Sequence, residues 1–243
     1  MANEGRRGPV LSLVSRDRDI AYYLREVEQR GGGPVLVLGA GTGRIAWELA
    51  LSGIDTLAVD PSAAMLETAE ARRAQEPEEG SRRLQLVHAD VRALRLERRF
   101  PVVLAPQNAL ALMATLDDLD AMLATVRHHL AEKGTLIFDV LNPVRELPSP
   151  DFEDWHPLEG VEPPRPVFAP HLRERNRRDG IEGIRRLRLR HFSVAEIDRA
   201  LSDAAFVPTE RYGSFTRTPF EAADPIQVVI AEKGDSLLFR TEK

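Results

Sequence analysis

Residues 35–50 read V-L-V-L-G-A-G-T-G-R-I-A-W-E-L-A and predict a buried strand, a tight turn and a helix. The four leading apolar residues are typical of a parallel strand that is covered on both faces. Gly39, Gly41 and Gly43 alternate in the turn, where the missing Cβ atoms let the backbone bend sharply and approach a ligand. The helix that follows directs its positive N-terminal end at whatever lies over these glycines. The stretch therefore predicts a site for a nucleotide-like ligand.

The glycine spacing separates several classes of nucleotide site. The dinucleotide fingerprint G-x-G-x-x-G needs a third small residue for close packing of helix on strand, and that position holds Arg44. The phosphate loop G-x-x-x-x-G-K-[ST] is absent as well. The remaining pattern, G-x-G-x-G, resembles the first motif of the class I S-adenosylmethionine-dependent methyltransferases. A purely structural glycine turn is the alternative, since such turns are common after strands.

An acidic residue follows each of the next two predicted strands. Asp60 ends a strand over residues 55–60, and it comes about 20 residues after the first glycine, the separation at which an acid reaches ribose hydroxyls. A carboxylate accepts hydrogen bonds from both vicinal hydroxyls. Asp90 and Val91 follow a strand over residues 84–87. The resemblance implies that Asp90 accepts from the adenine amino group and that the Val91 amide donates to the ring. Simple capping and loop roles are the competing interpretations.

The resemblance implies further contacts with the cofactor. Tyr22 or Tyr23, in the leading helix, would close over the methionine end, and Met65 would lie against the adenine, although core packing accounts for all three. Gln107 and Asn108 follow the fourth predicted strand, at the edge of the sheet where ligands bind, and are candidates to orient cofactor or acceptor. The full predicted cofactor-binding set is Tyr22, Gly39, Ala40, Gly41, Gly43, Arg44, Asp60, Pro61, Met65, Asp90, Val91 and Pro106.

Methyl transfer from a sulfonium requires no metal, because the cofactor supplies the electrophile. The sequence contains no H-E-x-x-H motif and no cysteine, so no metal is predicted. An oxygen or protonated nitrogen acceptor needs a base of near-neutral pKa, for which histidine is the natural choice. His171 and His191, together with Asn108, are the candidates on the acceptor side, but none is assigned as catalytic.

The chain, residues 1–243, is predicted to form one α/β domain. The resemblance implies a Rossmann-like, seven-stranded, mostly parallel sheet with helices on both faces, ending in an antiparallel hairpin over residues 207–212 and 226–231. Residues 1–34 are predicted to form an N-terminal arm and a helix. Residues 143–192 are first proline-rich and then alternate arginine with apolar residues, which predicts a small irregular and antiparallel cap inserted in the domain.

Local signals set the expected ends of several elements. Capping boxes are predicted to begin helices at Thr115 and Ser193. Gly134 is expected to stop the first of these helices before a fifth strand over residues 135–140. Residues 77–81 are expected to form a solvated loop.

Composition limits the partners and the compartment. The 243-residue chain has a formal net charge of -5 and a pI near 5.8, which opposes general nucleic-acid binding. Arginines concentrate between residues 173 and 190. They are interpreted either as a solvated face or as a basic collar for an acidic substrate. No apolar run could span a bilayer, and the first residues lack the core of a signal peptide. A cytoplasmic location without a membrane partner is expected; the oligomeric state is not predicted.

Two positions depart from the family pattern. Family members commonly carry an acid two residues before the first glycine, where this chain has Val37. They usually carry Ala-Gly-Phe where this chain has Ala204, Ala205 and Phe206. The first departure predicts a weaker hold on the methionine ammonium group. The second predicts a strained helix end at Ala205.

Together these residues predict a methyltransferase that uses S-adenosyl-L-methionine and releases S-adenosyl-L-homocysteine. Its acceptor would be a nitrogen or oxygen of a small molecule, such as an acidic metabolite or a nucleotide-linked sugar. A non-catalytic cofactor-binding or assembly protein of the same fold is the main alternative, suggested by Val37 and Ala205. An NAD-dependent oxidoreductase is disfavoured by Arg44, and an RNA methyltransferase is opposed by the net charge.

Overall fold

The computed structural model describes residues 16–142, 155–157, 167–175, 182–186 and 189–234. Its helices are α1 (Arg16–Gln29), α2 (Arg44–Leu51), α3 (Ala63–Arg72), α4 (Glu78–Arg83), α5 (Leu116–His129) and α6 (Val194–Asp203). The strands of the main sheet are β1 (Val35–Leu38), β2 (Thr56–Asp60), β3 (Leu84–His88), β4 (Phe100–Ala105), β5 (Leu130–Leu141), β10 (Phe206–Tyr212) and β11 (Ile226–Lys233). A second group comprises β6 (Trp155–Pro157), β7 (Val167–Arg175), β8 (Glu182–Arg186) and β9 (Leu189–Arg190).

The main sheet has seven strands in the order β10-β11-β5-β4-β1-β2-β3. Strands β1 to β5 pair in parallel, whereas β11 pairs antiparallel with both β5 and β10. The order steps outward from β1 in both directions, so the first βα turn lies beside a topological switch point, where open α/β sheets bind their ligands. The predicted fold class is confirmed, including the closing antiparallel hairpin.

Alternate residues of the central strand pack into two separate cores. Leu36 and Leu38 of β1 belong to a cluster with residues of α5 and α6. Val35 and Val37 belong to a second cluster with residues of α1 and α2. Because successive side chains of a strand point to opposite faces, this division shows that helices cover both sides of the sheet.

The predicted helix starts are confirmed and two other boundaries are wrong. Capping boxes join Thr115 to Asp118 and Ser193 to Glu196. Residues 77–81, expected as a loop, contain the start of α4, which has acidic residues in its first turn and arginines in its last, an arrangement that suits the helix dipole. The fifth strand begins at Leu130, which pairs with the start of β4, so that Gly134 lies inside the strand and not at a helix end.

Antiparallel strands lie within the predicted cap segment. Strand β7 pairs antiparallel with β6, β8 and β9, so the described part of this segment contains four strands. Of the predicted arginine-rich face, Arg190 has a described side chain, which pairs with Glu196 at 3.2 Å. The other arginines of this face, and the arm predicted for residues 1–15, lie outside the described side chains. Of the described helices, none is long and apolar enough to cross a membrane.

The two ends of the segment between β5 and α6 are fixed to the main sheet. The Asn142 amide donates from its backbone to the carbonyl of Pro225 at 2.9 Å. Its side-chain nitrogen donates to the carbonyls of Ala222 and Asp224 at 3.0 and 2.8 Å. At the other end, Phe192, which precedes the N-cap residue Ser193 of α6, is fully buried in the core.

Candidate active site

The carboxyl ends of β1, β2 and β3 meet at one edge of the sheet. The Ala40 amide donates to the carbonyl of Val59 at 3.0 Å, and the Ala89 amide donates to the carbonyl of Asp60 at 3.3 Å. These bonds continue the pairing of the three strands past their ends. The glycine turn, Asp60 and the Asp90 loop, which the sequence predicts as cofactor contacts, therefore lie at the same edge of the sheet.

The glycine turn has two packed residues and one open residue. All three glycines have left-handed backbones, with φ of 69° at Gly39, 56° at Gly41 and 76° at Gly43. A Cβ at Gly39 would lie 3.0 Å from that of Ala109, and one at Gly43 would lie 3.0 Å from the ring of Trp47. A Cβ at Gly41 would meet nothing within 4 Å. Gly41 is thus the point of the turn that faces open space.

Asp60 links the glycine turn to the start of α3. Its side chain is only 6% exposed. One carboxylate oxygen accepts from the Gly41 amide at 2.7 Å, and the other accepts from the Ser62 amide at 2.8 Å. A carboxylate has about four acceptor positions, so capacity for two more donors remains, as a ribose diol requires.

Asp90 is engaged by a neighbouring arginine. Arg92 donates to its two oxygens at 3.0 and 2.6 Å, and this ion pair lowers the pKa of the Asp90 carboxyl below its usual value. The side chain remains 44% exposed, so adenine would share the carboxylate with Arg92. The Val91 amide donates to no acceptor in the described part of the chain, although Val91 itself is buried. Such an amide fits the predicted donor to the adenine ring.

The opposite side of the glycine turn contains a buried acid that the sequence reading missed. Asp139, in β5, is 2% exposed. Its carboxylate accepts from the Tyr23 hydroxyl at 2.6 Å and from the amides of Gln107 and Asn108 at 2.6 and 2.9 Å. Burial raises the pKa of Asp139 to about 6, against the effect of these three hydrogen bonds. The available signal was an acid inside the apolar strand T-L-I-F-D-V.

Arg44 joins α2 to α1 and to the turn after β4. It donates to both carboxylate oxygens of Asp19, one of them at 3.0 Å, and Asp19 is 1% exposed. With the Gln107 amide turned so that its oxygen faces the guanidinium, that oxygen accepts from Arg44 at 3.0 and 3.2 Å. Asp19 was also missed, because no motif separates it from the other charged residues of α1.

Part of the chain resembles a known family. Residues 35–134 match a family model described as a methyltransferase domain. Over these 100 of its 243 residues the chain is similar to methyltransferase domains. The match spans β1 to the first part of β5, and therefore includes the glycine turn, Asp60, Asp90 and the turn after β4.

Individual proteins that resemble the chain are also named as methyltransferases. The chain is 28% identical over 134 residues to a cypemycin N-terminal methyltransferase from Streptomyces sp., a match that covers 55% of this chain and 52% of the relative. It thus spans about half the length of that curated relative. The CcbJ methyltransferase from Streptomyces caelestis has a similar structure, with a TM-score of 0.73, 24% identity and 91% of each chain covered. The glycopeptide N-methyltransferase MtfA, solved with S-adenosyl-L-methionine, gives a TM-score of 0.59 with 22% identity, covering 86% of this chain and 92% of MtfA.

Tyr22, another residue predicted to contact the cofactor, has mainly packing contacts. Tyr22 is 1% exposed, and its ring contacts those of Tyr23 and Phe215 edge-on, with centroids 5.5 and 5.6 Å away. It is Tyr23, and not Tyr22, that bonds to Asp139. The contacts of Tyr22 favour its interpretation as a core residue.

The remaining residues predicted to contact the cofactor follow β2 or β4. Met65 is half-buried in the first turn of α3, where its amide donates to the Ser62 side chain. The carbonyl of Pro61 accepts from the His88 ring at 2.9 Å when that nitrogen carries the proton. Pro106 is buried just before Gln107.

The residues predicted for the acceptor side differ in their surroundings. His191 is 6% exposed, and burial lowers the pKa of its ring, so that the neutral form predominates at pH 7. The Asn108 side-chain oxygen accepts from the Leu141 amide at 3.1 Å, which gives Asn108 a structural role. His171 belongs to β7, and its side chain lies outside the described residues.

Proposed function

We propose that this chain transfers the methyl group of S-adenosyl-L-methionine to a nitrogen or oxygen of a small-molecule acceptor. The observation that carries the proposal is the convergence of the glycine turn, Asp60 and the Val91 amide at one sheet edge, within the residues that match a methyltransferase domain. Amine nitrogen is the first acceptor class to examine, because one relative is named a cypemycin N-terminal methyltransferase and MtfA is named a glycopeptide N-methyltransferase.

The described residues fit the adenosyl part of the cofactor. Asp60 keeps acceptor capacity for the ribose diol, the open position at Gly41 lets the ligand approach the backbone, and the Val91 amide is available to the adenine ring. Bound S-adenosyl-L-methionine supplies the electrophilic methyl group. The protein then contributes mainly by positioning the acceptor in line, an effect worth about 7 to 11 kcal/mol in favourable cases.

An amine acceptor that arrives protonated must lose its proton before its nitrogen can attack. A neutral histidine is suited to accept that proton at pH 7. His191 is held in the neutral form by burial and comes directly after β9, where the chain returns to the main domain. It is the described residue that we propose as base, acting when the acceptor is bound next to it.

Calorimetric titration with S-adenosyl-L-homocysteine tests cofactor binding, with NADH as the control ligand. Binding of the first and not of the second is expected, and absence of heat with S-adenosyl-L-homocysteine at millimolar concentration contradicts the proposal. Acceptor class is then tested with labelled S-adenosyl-L-methionine and matched amine, hydroxyl and carboxylate compounds. Methyl transfer to amines in preference to hydroxyl compounds is the expected order, and a steep loss of activity in His191→Phe, with cofactor affinity retained, supports the proposed base.

A further inference from the structure

Asp139 makes contacts that a simple fold-stabilising residue does not require. It is a carboxylate inside an apolar strand, and its three donors come from two places far apart in sequence, α1 and the turn after β4. Buried carboxylates are costly unless such donors satisfy them. The arrangement therefore keeps a carboxylate, whose burial costs free energy, next to the glycine turn.

The turn that Asp139 holds has an unusual backbone. Gln107 and Asn108 are consecutive non-glycine residues in the left-handed region, with φ of 59° and 60°. Strained residues of this kind persist where their surroundings impose them, and they concentrate at binding sites. Here Asp139 accepts both amides, and the Asn108 side chain is bonded in turn to Leu141 of the same strand. Strand β5 thus fixes the shape of the turn through two separate groups.

The turn forms one wall of the site. Ala109, the next residue, would contact any side chain at Gly39, so the turn and the glycine turn pack directly together. Strand β4 lies beside β1 on the side away from β2, which places this wall opposite Asp60. The Gln107 side chain extends the connection to Arg44, at the start of α2.

This acid also lies on the face of the sheet that lacks the usual family carboxylate. Val37 and Ile137 share one core cluster, and residue 139 follows on the same face of β5 because side chains alternate along a strand. The charged and titratable groups around Asp139 are Tyr23, which donates to it, and Asp19, which is paired with Arg44. All of them belong to α1 and α2, the elements packed on this face.

We propose that Asp139 is a positioning residue for the cofactor: its ionised carboxylate holds the Gln107–Asn108 turn in the conformation that completes the wall opposite Asp60. The inference rests on the proposed cofactor binding. A protonated Asp139 has one acceptor oxygen fewer for the two amides and the Tyr23 hydroxyl, so protonation loosens the turn. Cofactor affinity should therefore fall as the pH falls through the pKa of Asp139, about 6.

The test is the affinity for S-adenosyl-L-homocysteine between pH 5 and 8, measured by calorimetry on wild-type protein and on Asp139→Asn. The expected result is affinity at pH 7.5 that is at least tenfold weaker in Asp139→Asn, with the wild-type loss at low pH absent from the variant. Asp203→Asn, which changes an exposed acid of α6, is the matched control and should follow the wild type. Wild-type binding that Asp139→Asn retains in full, with the same pH profile, overturns the inference and leaves the proposed function standing. Failure of the wild-type protein to bind removes the proposed function itself.

A second variant keeps the inference testable if Asp139→Asn does not fold. Tyr23→Phe removes one hydrogen bond to the carboxylate and retains the packed ring. Because that bond lowers the pKa of Asp139, its loss should move the midpoint of the affinity profile to higher pH. An unchanged midpoint in folded Tyr23→Phe contradicts the role of Asp139.

Discussion

The amide of Gly41 donates to the carboxylate of Asp60 at 2.7 Å, so the open point of the glycine turn and the acid of the next strand form one unit. The bond ties the backbone position that faces the ligand to the side chain predicted to hold the ribose. A change at either residue is therefore expected to affect the other.

Replacement of Asp60 by alanine should weaken S-adenosyl-L-homocysteine binding by about 100-fold or more. Two hydrogen bonds from ribose hydroxyls to a carboxylate would be lost, at about 1.5–3 kcal/mol for bonds to charged groups. Calorimetry gives the affinity. Asp55→Ala is the control, because Asp55 lies at the opposite end of β2 and pairs with Arg83 on the surface. Equal affinities for Asp60→Ala and the control would exclude a ribose contact.

The two ends of the glycine turn should respond differently to alanine. Gly39→Ala should destabilise the fold by about 2–4 kcal/mol, since it adds a contact with Ala109 to the cost of a left-handed residue. Gly41→Ala carries only the backbone cost, about 1 kcal/mol, but its Cβ enters the open space. Urea unfolding and calorimetry separate the effects: Gly39→Ala should show the larger loss of stability, and Gly41→Ala a loss of cofactor affinity in a folded protein. The reverse pattern contradicts this division.

Stability should depend on pH through Asp139. Its carboxyl has an ordinary pKa of 3.8 in the unfolded chain and about 6 in the fold, so the native state binds this proton more tightly. The resulting stabilisation is present at low pH and is lost as the pH rises from about 4 to 6, by about 3 kcal/mol. Urea unfolding over this range should show the decline in the wild-type protein relative to Asp139→Asn, which lacks the titrating group. Parallel curves for the two proteins would show that Asp139 titrates normally.

The predicted strain at the end of α6 is present and should be relieved by glycine. Ala205 has φ of 53°, whereas Ala204, the residue before it, has φ of -83°. Ala205→Gly should raise the free energy of unfolding by about 0.5–1 kcal/mol, because glycine adopts the left-handed conformation without a Cβ penalty. Ala204→Gly is the matched control and should lower stability by a similar amount. Thermal unfolding distinguishes the two, and destabilisation by both variants would contradict the interpretation.

Gln227 in β11 should be replaceable with a gain in stability. Its side chain is fully buried, and within the described part of the chain neither its nitrogen nor its oxygen has a hydrogen-bond partner. Gln227→Met keeps the approximate volume and removes the desolvated amide, so we expect a gain of about 1–3 kcal/mol. Gln85→Met, on the exposed face of the edge strand β3, should stay within about 0.5 kcal/mol of the wild type. A loss of stability in Gln227→Met would show that the amide has a partner in solution.

The features of the fold that could be predicted from the sequence are those whose interacting residues lie close together along the chain. The glycine turn and the capping boxes depend on residues within a few positions of each other, and these predictions are confirmed. The start of β5 at Leu130 depends on pairing with Phe100, and α4 begins in a segment whose glycine suggests a loop. Such boundaries are decided by tertiary packing that no local pattern records.

The same limit applies to the candidate site. Asp60 could be predicted from the sequence, because its separation from the glycines is the one at which an acid at the end of the second strand reaches the ribose. Asp139 could not, since its bond to the Gln107 amide joins residues 32 positions apart. The pairing of Arg44 with Asp19 likewise joins residues that are 25 positions apart. Asp139 and Val37 lie on the same face only in the folded sheet, where β4 separates their two strands.

The anchoring of Asn142 and Phe192 has a consequence for the diversification of this protein. Each anchor is made by groups of the main sheet and its loops, so neither depends on the chain that connects the two. Insertions, deletions or recombination between them are therefore expected to leave both anchors in place. A chimaera that exchanges only this segment with that of a relative should retain the fold of the main sheet.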